Sequence, residues 1–154
     1  QRGLLAAALG DDEVALSAFE RALQINPLFH GAQVELAHTL FRLERWEDSV
    51  TVYERIEELG IRSSDLSLHA GRCWEKLESF EKAAACYESA ISQEDSEAMA
   101  HYRLGMVYRA LGKKEEAKSS WRKFLTLNDD PQAAATIKNL MDGDQFSAAR
   151  EASK

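Results

Sequence analysis

Apolar residues recur along this chain at the three- and four-residue spacing of one face of an amphipathic helix. Leu16, Phe19, Ala22 and Leu23 form one such stripe, and Asn26-Pro27 ends it, because a residue before proline is driven out of the helical region. Further stripes predict helices over residues 34–43, 47–59, 66–77, 80–91, 99–111 and 114–127. Residues 1–9 read as a shorter helix stopped by Gly10, a residue suited to a left-handed helix end. Asp11, Asp12 and Glu13 follow, and acids at a helix N-terminus serve both capping and the dipole. Asp130 followed by Pro131 opens a last helix over 132–141. Ala133, Ile137, Leu140 and Met141 share one face of it, and Gly143 is the expected stop.

The stripes themselves repeat with a 34-residue period. Leu36-Ala37, Ala70-Gly71 and Leu104-Gly105 are equivalent. The turns that follow them are Glu44-Arg45-Trp46, Glu78-Ser79-Phe80 and Gly112-Lys113-Lys114. Next come a small residue (Ser49, Ala83, Ala117) and an aromatic four places later (Tyr53, Tyr87, Trp121). A partial earlier copy carries Gly3, Gly10, Ala15, Phe19, Ala22 and Pro27 at matching offsets. A period of this length denotes stacked helical hairpins, none of which buries its apolar face alone. The expected organisation is a partial repeat over 1–29, repeats over 30–63, 64–97 and 98–131, a capping helix over 132–141 and a polar tail over 142–154. Gly3 would be about the eighth residue of a first helix, so the chain is expected to be a fragment of a longer protein.

This pattern resembles the tetratricopeptide repeat family. Leu104-Gly105, Tyr108, Ala117, Trp121 and Phe124 follow the family's signature, as do Ala70-Gly71, Trp74, Ala83, Tyr87 and Ala90. The copy from His30 is looser, with Ala37, Ser49 and Ile56 at the small positions. The resemblance covers roughly residues 1–131 and implies an all-α, right-handed solenoid of antiparallel hairpins, closed by the C-terminal helix. It also implies that first helices line a concave face used for binding proteins.

Composition narrows the function classes. A 154-residue chain with 45% hydrophobic content has ample material for a core. Its net charge of -7 argues against non-specific nucleic-acid binding, which needs a basic surface. No apolar run approaches the roughly 20 residues of a membrane-spanning helix. Cys73 and Cys86 have neither CxxC spacing nor a histidine pair beside them, and read as core-facing thiols. Their low number leans toward a reducing compartment, or a bacterial origin, and leaves cytoplasmic and periplasmic placements open.

Catalytic arrangements are absent from the sequence: there is no phosphate-binding glycine loop, no GxSxG elbow and no HExxH. The 4 histidines, at 30, 38, 69 and 101, include no pair at ligand spacing on one helix. Asp142-Gly143-Asp144 lacks the further carboxylates of a calcium loop. A non-enzyme without cofactor or metal is the expectation. Trp46, Trp74 and Trp121 fall on the packing stripe or at hairpin turns and read as core.

Applying helical spacing away from that stripe places Glu35, His38, Phe41 and Arg42 on the concave face of the second repeat. His69, Arg72 and Lys76 follow from the third, with Glu75 beside them, and Tyr102, Arg103, Met106 and Arg109 from the fourth. Cations outnumber acids here, although the chain is acidic overall. Guanidinium groups bind carboxylates in bidentate fashion, and aromatic and Met surfaces accept apolar side chains, so the expected occupant is a peptide or helix carrying both. The chaperone-tail clamp of some family members is not expected, since Val34, His38, His69 and Met99 stand at its first four positions and only Arg103 fits. The alternative expectation is a spacer or self-association element working through its ends or convex face. Exposed Leu4, Leu5 and Leu9 on the truncated first hairpin would favour it.

Overall fold

The computed structural model describes residues 2–8 and 10–151. Among the described residues every regular element is a helix: α1 (Arg2–Ala8), α2 (Asp12–Ile25), α3 (His30–Arg42), α4 (Trp46–Glu58), α5 (Ser64–Lys76), α6 (Phe80–Gln93), α7 (Ala98–Ala110), α8 (Lys114–Leu127) and α9 (Pro131–Glu151). Each helix packs on its chain neighbours, and α3 also touches α5. The result is an all-helical solenoid of hairpins α1–α2, α3–α4, α5–α6 and α7–α8, followed by α9. No helix among the described residues is long and apolar enough to cross a membrane.

The repeated small and aromatic positions explain the hairpins. In α5 a Cβ on Gly71 would lie 2.5 Å from Tyr87 of α6, and in α7 a Cβ on Gly105 would lie 2.2 Å from Trp121 of α8. A side chain at either site would exclude the partner ring, so the glycines let the two helices of a hairpin close over a buried aromatic. In the second repeat Ala37 and Tyr53 take these places, and Ser49 Oγ donates to the Ala37 carbonyl at 2.9 Å.

Each intra-hairpin turn passes through the left-handed region at one register position: Gly10, Glu44, Glu78 and Gly112, with φ of 76°, 58°, 55° and 74°. Two glutamates thus adopt a backbone that costs an L-residue about 1–2 kcal/mol. Caps fall at the acids expected to start helices, and Ser63 adds one that was not expected. Asp11 accepts from the Val14 N–H at 3.2 Å, Ser63 from the Leu66 N–H at 3.2 Å, and Asp130 from the Gln132 N–H at 3.0 Å.

Four small cores run along the stack. Phe19 with Ala6, Ala15 and Ala32 fills the first, and Tyr53, Val50, Ile56, Leu66 and Cys73 the second. Tyr87, Leu104 and Val107 form the third, and Trp121, Phe124 and Ile137 the fourth. Both cysteines are free thiols, Cys73 buried and Cys86 half-buried.

Two elements differ from the sequence expectation. α3 starts at His30 rather than at 34, because Gln33 Nε2 donates to the Pro27 carbonyl at 2.8 Å and holds a first turn that carries no apolar stripe. α9 runs through Gly143 to Glu151, past the stop expected at Gly143. A glycine inside a helix costs about 1 kcal/mol but ends it only when the backbone turns left-handed. The last expected tail residues, 152–154, lie outside the described residues.

Candidate partner-binding groove

α3 and α5 lie side by side as first helices of adjacent hairpins, and the four-residue spacing along each builds a column of side chains between them. The His38 and His69 rings stand 4.9 Å apart, and Phe41 meets His69 edge-on at 5.3 Å. Arg72 places its guanidinium carbon 4.5 Å from the centre of the Phe41 ring. Phe41 in turn meets Trp46 at 5.1 Å and 72°, and Lys76 Nζ lies 5.8 Å from the Trp46 centroid. Cations held over aromatic faces gain about 0.5–1 kcal/mol where water still reaches them. His38, Phe41, His69, Arg72 and Lys76 are therefore brought together as one surface, and Trp46 joins them at the α4 N-terminus.

At the top of the column Asp65, in the first turn of α5, faces both imidazoles. Its carboxylate oxygens lie 3.6 Å from His38 Nε2 and 3.4 Å from His69 Nδ1. The ring of His69 is oriented by a 3.0 Å hydrogen bond that Nδ1 donates to the Asp65 carbonyl one turn back. His38 Nε2 is buried with no hydrogen-bond partner. Burial, then the adjacent His69, lowers the His38 pKa below the ordinary 6.5 and favours its neutral ring.

The remaining expected residues are placed differently. Arg42 Nε donates to Asp12 Oδ1 at 2.8 Å, so its charge is committed to the α2 N-terminus. Arg103 of α7 donates through Nη1 to Glu75 Oε2 of α5 at 3.1 Å, and Tyr87 donates to the same oxygen. Glu35 lines a separate cavity of about 510 Å³ with Leu4, Phe19, Ile25 and Phe29. Tyr102 and Met106 pack into the seam that α9 covers; Tyr102 meets Phe124 at 5.4 Å and its carbonyl accepts from Trp121 Nε1 at 3.2 Å. Arg109 sits exposed in the last turn of α7. Among the tryptophans Trp121 is fully buried, while Trp46 and Trp74 are half-buried and each lies beneath a lysine.

Sequence reasoning missed Asp65 and Trp46 as members of this surface. Trp46 at a hairpin turn reads as packing, and Asp65 falls just before the helix expected over 66–77; only the approach of α3 to α5 joins them to His38 and Phe41. At the other end of the molecule Leu4 and Leu5 are 53% and 63% exposed, with Ile25, Leu28 and Phe29 exposed nearby. Leu9, expected on the same face, lies outside the described residues.

Family models described as tetratricopeptide repeat match residues 1–65, 34–95 and 98–131. Two curated relatives are the general transcriptional corepressor ssn6 of Schizosaccharomyces pombe, 25% identical over 130 residues, and trfA of Dictyostelium discoideum, 23% over 138. Those matches take in 83% and 88% of this chain but 12% and 10% of the relatives, so the chain spans a small part of their length. Among solved structures, MamA superposes with a TM-score of 0.88 at 20% identity, covering 94% of this chain and 85% of that one. YrrB, described as a TPR protein with an unusual peptide-binding site, gives 0.83 at 18%, covering 94% and 74%.

Proposed function

The chain belongs to the tetratricopeptide repeat family, and we propose on that premise that this protein-interaction scaffold receives a partner segment along α3, α5 and α7. The occupant is a peptide or helix carrying acidic and apolar residues, and the scaffold performs no catalysis. One observation carries this reading: Arg72 and Lys76 are held over Phe41 and Trp46 instead of being paired with acids of their own helix. Cations in that setting offer charge to a partner's carboxylates while the ring edges offer apolar contact. The description of YrrB as a peptide-binding repeat protein supports the same use of the fold.

An array of defined peptides tests it. Sequences mixing Asp or Glu with Leu or Phe should bind in preference to neutral or basic versions of equal length. Preference for basic peptides, or no binding across the array, would overturn it.

A second reading has its own support. The apolar surface of Leu4, Leu5, Ile25, Leu28 and Phe29 around the 510 Å³ cavity suits a self-association contact or a further repeat. Light scattering on Leu5→Glu and Phe29→Glu variants separates the two readings. A fall in mass would assign the first hairpin to self-association; an unchanged monomer would remove that role.

A further inference from the structure

We propose that His38, His69 and Asp65 form a binding site for a divalent transition-metal ion of the zinc class, bridging α3 and α5. One donor atom from each residue lies within 4.8 Å of the other two. Two imidazoles and a carboxylate are a donor set that suits zinc, cobalt, nickel and copper better than calcium or magnesium.

The geometry is close to what such an ion needs. Bonds of about 2.0–2.1 Å around a tetrahedral centre put donors about 3.4 Å apart. An Asp65 oxygen already stands 3.6 Å from His38 Nε2. The wider gaps close by small rotations, and Asp65 has the freedom for this, with 61% of its side chain exposed.

Second-sphere features point the same way. His69 donates Nδ1–H to the Asp65 backbone carbonyl at 3.0 Å, which leaves Nε2 with its lone pair free. Metal-bound histidines are held in this manner, with the second nitrogen tied to a carbonyl or carboxylate. His38 Nε2, buried and without a hydrogen-bond partner, is a donor whose position is otherwise unfavourable. Phe41 and Tyr53 pack against the imidazoles and fix both rings. Three protein donors leave the fourth position of a tetrahedral ion to water.

The test uses untagged protein stripped with chelator and titrated with Co²⁺, followed by visible absorption and then by displacement with Zn²⁺. One ion per chain is expected. His69→Gln and Asp65→Asn should each weaken binding by at least about tenfold. Asp65 is exposed, so its variant retains the fold, and circular dichroism checks this for both. His30→Gln, which lies outside the cluster, should bind as the parent does. No cobalt band at millimolar metal, or equal affinity in the parent and the two cluster variants, overturns the site.

Discussion

Arg103 on α7 donates to Glu75 on α5 across 3.1 Å, an ion pair that ties two neighbouring first helices across the groove. Tyr87 of α6 donates to the same carboxylate oxygen, so three helices meet at one acceptor. The pair is half-buried, with 29% and 23% of its side chains exposed, which moderates the cost of losing it. Glu75→Ala should destabilise the chain by about 1–3 kcal/mol, or about 2–4 °C in Tm for each kcal/mol, and Glu75→Gln by less because the amide keeps an acceptor. Thermal unfolding of the two variants checks the order. The same geometry shows that Arg103→Glu would set two carboxylates together, which makes it a poor probe of binding.

The closure of the hairpins predicts a second outcome. Gly71→Ala and Gly105→Ala place a methyl group 2.5 and 2.2 Å from the rings of Tyr87 and Trp121. Both should destabilise by about 1–3 kcal/mol through overpacking. Chemical denaturation should give lower midpoints for both; an unchanged midpoint would mean that the aromatic moves aside freely.

Glu44 and Glu78 occupy the left-handed turn position that Gly10 and Gly112 fill in the other repeats. Relief of steric strain in Glu78→Gly competes with the greater freedom of glycine in the unfolded chain. The expected result is a net gain of a few tenths of a kcal/mol up to about 1 kcal/mol. A clear loss of stability in denaturation would show that the Glu78 side chain contributes more than the strain costs.

These turns also show how far the sequence was legible. The 34-residue register located every hairpin turn, because small, aromatic and turn residues must recur wherever the same two helices close on each other. It did not reveal that glutamates would take a left-handed backbone, since the requirement belongs to the turn and the residue type conceals it. In the groove, three- and four-residue spacing was enough to bring His38, Phe41, His69, Arg72 and Lys76 together. Spacing along a helix carries no information about neighbours on other helices. Arg42 is consumed by Asp12, and Tyr102 and Met106 pack in the seam under α9. The His38–Asp65–His69 cluster escaped a search for histidine pairs on one helix because its two histidines lie on different helices.

Both thiols should be inert in the folded protein. Burial, with Glu57 and Glu54 adding to it, pushes Cys86 up to about 12, and burial also raises Cys73. A thiol titrating near 12 is ionised in about one molecule in ten thousand at pH 8, so a disulfide reagent should react slowly until the chain unfolds. Prompt modification of the native protein at pH 8 would contradict the packing described.

Alkaline pH should destabilise the fold. Burial raises Tyr53 above its ordinary 10.0, burial with the Glu75 hydrogen bond raises Tyr87, and burial with Glu88 raises Tyr108 to about 12. A group whose folded pKa is raised gives its full stabilisation below the unfolded value and loses it as pH climbs towards the folded one. The thiols begin this loss near their unfolded 9.0 and the phenols near 10.0. Denaturation midpoints should therefore hold between pH 7 and 8.5 and fall beyond pH 9; a midpoint that stays level to pH 11 would contradict the assignment.

The groove itself is tested most directly by affinity capture with the parent chain and an Arg72→Glu, Lys76→Glu variant whose helical circular dichroism is unchanged. The account predicts a partner enriched by the parent and lost with the variant, and binding by an acidic, apolar segment of that partner in isolation. Equal recovery of that partner by both proteins would contradict the assignment of recognition to the surface between α3 and α5.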